Sequence, residues 1–369
     1  MQKVSQWASQ IWYNVRQFDF KQERRAKEVA EKNMKAVKIV GVGSYLPARV
    51  VTNDEMAPRI DSSSEWIVSH TGIESRHVAA PEESPSSMGA EAARRALAAA
   101  GVEPDDVGLI ILATTTPDYV TYPSTSCLVQ AQTGCRHAAA FDLGAACSGF
   151  VYGLEMAKSY LLCHPDKKVL VVGTEMLSRH TDWSDRSLAM LFGDGAGAAV
   201  LAVTDDAPEG RLSETILGAD GTGSEFIRRE GGARQALCAD PVKETVPTMK
   251  VPYIAMDGHA VFTFAVRKLD VVLRALCERA KVEPSSLDCI YAHQANLRII
   301  DAVARRMKLP LEKFYLNLQT VGNTSSASIP LCLDRALREG TLKDGQNIAL
   351  AGFGAGLTWA GMLMTWPYL

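Results

Sequence analysis

The segment Arg95-Ala-Leu-Ala-Ala-Ala-Gly-Val-Glu-Pro104 precedes the apolar run Val107-Gly-Leu-Ile-Ile-Leu-Ala113, and both recur later in the chain. Their counterparts are Arg274-Ala-Leu-Cys-Glu-Arg-Ala-Lys-Val-Glu-Pro284 and Leu287-Asp-Cys-Ile-Tyr-Ala-His293. Each copy is typical of an Ala/Leu-rich helix, a Glu-Pro turn and a short buried strand. A recurrence of roughly 175–180 residues predicts two similar α/β halves related by pseudo-twofold symmetry.

A second pair of segments extends this symmetry. Val169-Leu-Val-Val-Gly173 parallels Ile348-Ala-Leu-Ala-Gly352, and each leads into a glycine-rich turn and another apolar strand. Continuous apolar strands are typical of sheets covered on both faces. The sequence therefore predicts five layers, with two sheets that enclose shared central helices and carry further helices outside. We place the two halves at residues 36–210 and 211–369.

Residues 1–35 differ from the rest and form a predicted N-terminal extension. Apolar residues between Trp7 and Phe18 precede a charged run from Lys21 to Lys32. The charged part favours a solvated helix, and the apolar part favours a small docking or surface-binding helix. The alternative is an extension, helical or disordered, with no role in the chemistry.

Composition narrows the function classes. A chain of 369 residues with 47% hydrophobic residues can bury a large core. Because 39 basic and 42 acidic residues nearly balance, bulk charge indicates neither nucleic acid nor membrane as a partner. The eight cysteines form no CxxC pair, which favours reduced, buried thiols over a disulfide or zinc framework. With neither an apolar span nor a signal-peptide core, we expect a cytoplasmic protein without stable membrane association.

Three short segments carry candidate chemistry: Ala145-Ala-Cys-Ser-Gly149, His293-Gln-Ala-Asn296 and Gly322-Asn-Thr324. Cys147 stands at the start of a predicted helix, where the helix dipole would lower its pKa and favour a thiolate nucleophile. A small buried cysteine at a tight turn is the alternative. A lone histidine after an apolar strand is more often a core residue, and an asparagine in such a turn is more often a cap.

The repeat brings the three segments together. Phe141–Cys147 and Tyr315–Asn323 occupy corresponding strand-to-helix turns, and His293 ends a predicted strand. Since ligands bind at the carboxyl ends of strands in α/β sheets, one cleft between the halves would contain all three. A thiolate takes an acyl group covalently, and neutral nitrogen donors stabilise an enolate. The combination predicts carbon–carbon bond formation on thioesters.

These segments resemble those of ketoacyl-acyl carrier protein (ACP) synthase III, the initiating condensing enzymes of the thiolase fold. The likeness runs from about Val37 to the C-terminus. The segments that carry it are Gly41-Val-Gly-Ser-Tyr-Leu-Pro47, Trp66-Ile-Val-Ser-His-Thr-Gly-Ile73, Phe192-Gly-Asp-Gly-Ala-Gly-Ala198, His293-Gln-Ala-Asn-Leu-Arg298 and Gly322-Asn-Thr-Ser325.

The resemblance implies a reaction and roles for the three residues. Cys147 would be acylated by an acyl-CoA, and His293 and Asn323 would promote decarboxylation of malonyl-ACP. The enolate would then attack the acyl-cysteine and give a 3-oxoacyl-ACP, which starts fatty acid or related natural-product synthesis. The oxyanion hole would use the backbone N–H groups of Cys147 and Ala355, where the family often has glycine. That departure matters only if position 355 requires positive φ.

The resemblance also implies substrate contacts and an unusual donor. Trp66 and Arg186 would lie on either side of the CoA adenine, and Asn296 would contact pantetheine. His70 stands where the family commonly has an arginine near the CoA phosphates. A mostly neutral imidazole lacks the permanent charge and forked donors of arginine. We therefore expect weaker CoA binding, or preference for acyl-ACP or another donor.

Further implied sites concern the acyl pocket and partners. Tyr122 matches a phenylalanine that reaches across a homodimer into the neighbour's acyl pocket, and its bulk or hydroxyl would limit that pocket to short or unusual acyl groups. Phe192 and Phe353 would wall the cleft. Three arginines suit docking of an acidic carrier protein, although such charges are more often a solvated face; they are Arg298, Arg305 and Arg306. The family implies no metal and no cofactor beyond the CoA and ACP thioester substrates.

Alternative functions remain open at this point. Gly193–Gly197 and Gly352–Gly356 run into apolar strands and lack the spacing of a dinucleotide loop. An acyltransferase on the same fold could move the acyl group from Cys147 to an alcohol or amine without decarboxylation. A non-catalytic carrier-binding scaffold is the third possibility. The sequence does not identify the acyl donor, its chain length or the pathway.

Overall fold

A computed structural model describes residues 36–204, 212–230 and 253–367. The predicted extension at 1–35 and the predicted boundary between residues 210 and 211 lie outside the described residues. In chain order, the strands are β1 (Ala36–Tyr45), β2 (Arg49–Thr52), β3 (Ser75–Val78), β4 (Val107–Ala113), β5 (Ala139–Leu143), β6 (Lys168–Met176), β7 (Asp194–Thr204), β8 (Leu212–Ala219), β9 (Ile227–Arg229), β10 (Ile254–Met256), β11 (Cys289–Ala292), β12 (Asn347–Gly354) and β13 (Thr358–Thr365).

The α-helices of the same ranges are α1 (Asn53–Met56), α2 (Ser64–Thr71), α3 (Pro85–Ala100), α4 (Thr125–Thr133), α5 (Gly149–Cys163), α6 (Arg186–Ala189), α7 (Gly258–Ala280), α8 (Leu297–Met307), α9 (Leu318–Val321) and α10 (Ser328–Arg338). Both predicted helix–turn–strand units are present, as α3 with β4 and α7 with β11.

Two sheets repeat one strand order. The first has the order β1-β7-β6-β4-β5 and the second has β8-β13-β12-β11. In each, one antiparallel hairpin (β6–β7 or β12–β13) lies beside a parallel pair (β4–β6 or β11–β12). The predicted internal symmetry is therefore visible in the order and the relative direction of the strands.

One predicted element is wrong. The second-half counterpart of β5 is reduced to a single bridge between Ile290 and Phe314. The segment from Tyr315 to Asn323 is mostly loop and contains only the short helix α9. Asn323 consequently reaches the cleft from a loop and not from the end of a full strand.

The layers follow the prediction. Helices α5 and α10 pack between the two sheets, α3 and α4 cover the outer face of the first sheet, and α7 and α8 cover that of the second. The main core joins both central helices to both sheets through buried residues such as Phe150, Leu154 and Leu333. Burial on both faces explains the continuous apolar strands, and the five-layer α/β arrangement is confirmed.

Two smaller antiparallel pairs lie outside the main sheets, β2 with β3 and β9 with β10. All seven cysteines of the described ranges are free, but Cys127 and Cys163 are exposed, so the predicted burial of the thiols holds for only part of them. No helix of the described residues is long and apolar enough to cross a membrane.

Candidate active site

Cys147 lies in a tight turn between β5 and α5. The turn is a single 3-10 segment, Ala146–Ser148, and Ala146 has a left-handed φ of 46°. The second half repeats this feature, because Ser325 has a φ of 47° and opens the 3-10 segment Ser325–Ala327 before α10. Non-glycine residues adopt this conformation at a free-energy cost, typically where a site requires it. Each half thus presents one strained turn to the cleft.

A hydrogen-bonded chain connects the two turns. Sγ of Cys147 donates to Oγ of Ser325 at 3.3 Å. Oγ of Ser325 in turn donates to Oε1 of Glu175 at 3.0 Å. Glu175 is fully buried at the end of β6, and burial raises the pKa of its carboxyl against the opposing effect of its hydrogen-bond donors. The chain fixes the direction of the Cys147 thiol.

The surroundings of Cys147 disfavour the predicted thiolate in the protein without substrate. Burial raises the pKa of Cys147 to about 12, and the negative charge of Glu175 adds to this increase. A position before a helix lowers a thiol pKa only while desolvation does not outweigh the dipole. We therefore treat Cys147 as a thiol held by Ser325.

His293 follows β11 directly and is almost completely buried. Its backbone N–H donates to the carbonyl of Ala351 at 2.7 Å, and its ring packs edge-on against Phe353 with centroids 5.2 Å apart. Burial lowers the pKa of His293 to about 3, so the imidazole is neutral. Its Nδ1 is buried and has no hydrogen-bond partner among the described residues, which leaves Nε2 as the ring nitrogen available to the cavity.

Asn323 is held so that its amide can donate. Its Oδ1 accepts from the backbone N–H of Ser325 at 2.9 Å. Its own backbone N–H donates to Leu191 at 2.8 Å, and its carbonyl accepts from Gly193 at 3.0 Å. With the oxygen already bonded, the NH₂ group remains the free end of the side chain.

Sequence reasoning missed two buried residues that organise the site. Oε1 of Gln294 accepts from the backbone N–H groups of Asn317 and Leu318, at 3.0 Å each, and so attaches the His293 segment to the loop that leads to Asn323. Gln294 could have been suspected because it adjoins His293. The role of Glu175 could not be predicted from the sequence around it, since its hydrogen-bond partners come from other segments.

One cavity of about 320 Å³ brings the predicted catalytic residues together. Cys147, His293 and Asn323 line it, together with Phe192 and Phe353, as predicted for the walls of the cleft, and with Ala355.

The end of β12 approaches Cys147 closely. A Cβ added to Gly354 would lie 2.7 Å from the backbone nitrogen of Cys147, so only glycine fits there without a shift. The next residue, Ala355, is not among the described residues with positive φ. Alanine is therefore an unstrained replacement for the glycine of the family, and its role in the oxyanion hole stays a prediction.

The predicted CoA contacts gather next to this cavity. Four-residue spacing on α2 stacks His70 on Trp66 with centroids 4.0 Å apart, and the guanidinium of Arg186 lies 4.0 Å from the Trp66 ring. None of the three lines the cavity. The neighbour of Arg186, Ser187, does line it, as does Asn296, so the trio lies beside the cavity wall.

Asn296 has a structural role that the prediction omitted. Its Oδ1 caps α8 by accepting from the backbone of Arg298 at 2.8 Å, and its Nδ2 donates to the carbonyl of His70 at 3.1 Å. Both ends of the amide are thus engaged within the protein. Its contact with pantetheine stays a prediction.

The remaining predicted sites lie on the surface. Tyr122 is 83% exposed and does not line the cavity of its own chain. On α8, Arg305 pairs with Asp301, and Arg306 pairs with Asp270 at 3.1 Å. Much of the charge of Arg305 and Arg306 is therefore balanced within the chain. These ion pairs were not predicted from the sequence.

An open cavity of about 610 Å³ contains none of the predicted catalytic residues; Arg49, Arg59, Arg179 and Trp183 help to line it. Among the described residues, no three His, Cys, Asp or Glu side chains group as metal ligands do. The absence of a cofactor stays a prediction.

Two sheets around shared helices, with a nucleophile in one half and nitrogen donors in the other, define the class of thiolase-fold condensing enzymes. Comparison with known proteins gives the family. Residues 141–221 match the model of 3-oxoacyl-ACP synthase III, and residues 277–366 match that of its C-terminal part. The beta-ketoacyl-ACP synthase III of Caldanaerobacter subterraneus is 43% identical over 332 residues, covering 90% of this chain and 98% of that protein. The chain belongs to the 3-oxoacyl-ACP synthase III family.

Solved structures agree with this assignment. The 3-oxoacyl-ACP synthase III of Aquifex aeolicus is 42% identical, with a TM-score of 0.80 over 89% of this chain and 99% of that one. The priming beta-ketosynthase of the R1128 polyketide pathway is 38% identical, with a TM-score of 0.82 over 90% and 97% of the two chains. The thiolase-like fold, the acyltransferase class and the condensing function expected from the sequence are confirmed.

Proposed function

We propose that Cys147 accepts a short acyl group from acyl-CoA and transfers it to the enolate formed from malonyl-ACP. The observation that carries this proposal is one cavity lined by Cys147, His293 and Asn323 from three separate segments. Both side chains can present a neutral donor to the cavity. His293 is neutral because its pKa is lowered to about 3, and it donates in the tautomer that carries the proton on Nε2. Asn323 donates through its NH₂ group, since its Oδ1 is bonded.

In the loading step, the sulfur of Cys147 attacks the thioester carbonyl. A new C–S bond forms, the C–S bond to CoA breaks, and the cysteinyl proton leaves with CoA as its thiol. The oxyanion of the intermediate would be stabilised by the backbone N–H groups of Cys147 and Ala355. Trp66 and Arg186 would hold the adenine of CoA beside the cavity.

In the condensing step, the C–C bond to the malonyl carboxylate breaks and carbon dioxide leaves. The electron pair becomes an enolate whose oxygen accepts hydrogen bonds from His293 and Asn323. The enolate carbon then attacks the acyl-cysteine, and Cys147 departs as a thiolate that is reprotonated. A neutral His293 suits this step, because burial makes an imidazolium costly at this position.

The proposal includes a homodimer and a carrier-protein surface. Exposed apolar residues around Tyr122 support a subunit interface; with Tyr122 they are Tyr119 and Val120, at 54% and 72% exposure. Arg298, at the exposed first turn of α8 beside the cavity residue Asn296, would attract the acidic carrier protein. Arg305 and Arg306 would contribute less because of their ion pairs.

The test separates the two half-reactions. Wild-type protein and Cys147→Ala are incubated with a panel of acyl-CoA and acyl-ACP donors, and the mass added to the Cys147 peptide is measured. Malonyl-ACP is then added, and carbon dioxide and product mass are recorded. We expect loading, carbon dioxide release and a 3-oxoacyl-ACP from the wild type, and neither loading nor 3-oxoacyl-ACP from Cys147→Ala. Acyl transfer to another acceptor without carbon dioxide would favour the acyltransferase alternative.

A further inference from the structure

A second cavity of about 100 Å³ adjoins Cys147 on a side that neither His293 nor Asn323 lines. Cys147 therefore lies between two spaces, and an acyl group bonded to its sulfur can extend into this one. The wall combines apolar and polar residues; among them are Thr115, Thr116, Leu177, Phe192, Ile227 and Ile254. Three further wall residues, His180, Arg228 and Arg229, are basic in type.

The hydroxyl groups of this wall are already bonded to one carboxylate. Oγ1 of Thr115 and Oγ1 of Thr116 donate to Glu175 at 2.9 and 2.8 Å, as does Oγ of Ser325 at 3.0 Å. The Glu175 carboxylate itself does not line the cavity. The charged hydrogen-bond donors of this wall are its two arginines, Arg228 and Arg229.

Arg229 ends β9 and is half-buried. Its Nη1 lies 2.6 Å from Nδ1 and 2.9 Å from Nε2 of His180. Burial and the charge of Arg229 lower the pKa of His180 to about 4, so the imidazole is neutral. His180 can accept one N–H of Arg229 and help to hold it, but it cannot balance the charge of the guanidinium.

Arg228, the neighbour of Arg229 in the sequence, differs from it in its ion pairs. Arg228 also lines the cavity, but it is more exposed and pairs with Glu225 at 2.8 Å and with Glu230 at 2.7 Å. No carboxylate within 36–204, 212–230 and 253–367 forms an ion pair with Arg229. A half-buried cation beside the nucleophile costs free energy in a pocket for alkyl chains, unless the ligand supplies the opposite charge.

We propose that the acyl group carried by Cys147 ends in a carboxylate that Arg229 binds, so that the donor is a short dicarboxylic half-thioester. This inference rests on the proposed loading of Cys147. A cavity of about 100 Å³ is small, which favours a short acyl chain such as succinyl or glutaryl. The loading chemistry is unchanged: the terminal carboxylate keeps its charge, and the cysteinyl proton leaves with CoA.

The experiment compares donors of equal shape. Succinyl-CoA and 4-methylpentanoyl-CoA differ in replacing two carboxylate oxygens by two methyl groups. Loading of Cys147 is followed by intact-protein mass. We expect kcat/KM for succinyl-CoA or its one-carbon-longer homologue glutaryl-CoA to exceed that of the branched apolar counterpart by about tenfold or more, the scale of hydrogen bonds to charged groups.

Variants identify the residue responsible. Arg229→Met should lower succinyl-CoA loading by roughly ten- to hundredfold while it keeps or improves loading by 4-methylpentanoyl-CoA, which also shows that the variant is folded. Arg229→Lys should retain part of the preference. Arg279→Gln removes an exposed arginine that contacts only the carbonyl of Thr215 among the described residues, and it should leave the donor ratio unchanged.

Two results would overturn the inference. One is equal loading of the wild type by the charged and apolar donors, and the other is an unchanged donor ratio in Arg229→Met. If acetyl-CoA loads Cys147 while no dicarboxylic donor does, only this inference fails. If no acyl-CoA of any kind loads Cys147, the proposed function fails with it.

Discussion

Cys147 donates to Ser325 across 3.3 Å, although the two residues lie 178 positions apart and in opposite halves of the molecule. The hydroxyl of Ser325 in turn donates a hydrogen bond to the carboxylate of Glu175. The contact depends on the two strained turns, because the positive φ of Ala146 and of Ser325 orients each turn at the cleft. The nucleophile is therefore positioned by residues that no local pattern around it specifies.

Ser325→Ala should slow acyl loading of Cys147 by about two- to tenfold, since a hydrogen bond of this kind contributes ~0.5–1.5 kcal/mol. The substitution removes the acceptor of the thiol and one donor of Glu175. Loading is measured by mass with a saturating acyl-CoA. Ser328→Ala is a matched control, because Ser328 is another buried serine of the same segment whose hydroxyl accepts only from the backbone of Gln294 among the described residues. A larger effect in the control than in Ser325→Ala would contradict this role.

The Cys147 thiol should react slowly near neutral pH. Burial raises its pKa to about 12, so the thiolate fraction, which is the reactive form, rises about tenfold with each pH unit below that value. Alkylation of the Cys147 peptide by iodoacetamide should thus keep accelerating from pH 7 to pH 10. The exposed thiols of Cys127 and Cys163 provide internal references. An alkylation rate of Cys147 that reaches a plateau between pH 7 and pH 8 would instead support the thiolate predicted from the helix dipole.

The sequence predicted the symmetry and the catalytic trio for related reasons. Apolar strands and Glu-Pro turns are local patterns that recur, and Cys147, His293 and Asn323 stand next to them. The pKa of Cys147 could not be predicted, because a local helix rule does not include the desolvation that the surrounding layers impose. The proposed role of Arg229 could not be predicted from its local sequence either, since that role depends on a cavity that distant segments form. Both the pKa of Cys147 and the role of Arg229 depend on contacts between segments that are distant in the sequence.

His293→Ala and Asn323→Ala should separate loading from condensation. Both side chains are donors to the enolate in the proposed mechanism, so acylation of Cys147 stays measurable while condensation falls by roughly 10²–10³. Mass of the acyl-enzyme and release of carbon dioxide from malonyl-ACP report the two steps. His164→Ala removes an exposed histidine and should change neither. Equal losses in both steps would mean that the two residues position Cys147.

Gly354→Ala should displace the nucleophile through the turn that carries it. Its Cβ would lie 2.7 Å from the nitrogen of Cys147 and 3.0 Å from Cβ of Ala146, so the turn must shift. Since displacement of a reacting group by about 1 Å can cost ~10²-fold, we expect a loss of that order in the loading rate. Gly144→Ala is the matched control, because a Cβ there meets no atom within 4 Å. Equal activity of the two variants would show that the turn has room to adapt.

His70→Arg should improve the use of acyl-CoA donors. His70 stacks on Trp66 and its Nδ1 lies 2.7 Å from the Trp66 carbonyl, next to the wall that Asn296 lines. An arginine there would offer the CoA phosphates a fixed charge and two parallel hydrogen bonds. We expect the KM for acyl-CoA to fall by about tenfold at low salt and by less at high salt, with little change for acyl-ACP. His70→Gln, which lacks the forked donors of arginine, should behave as the wild type. An acyl-CoA KM unchanged in His70→Arg would mean that Arg186 already supplies the charge that CoA requires.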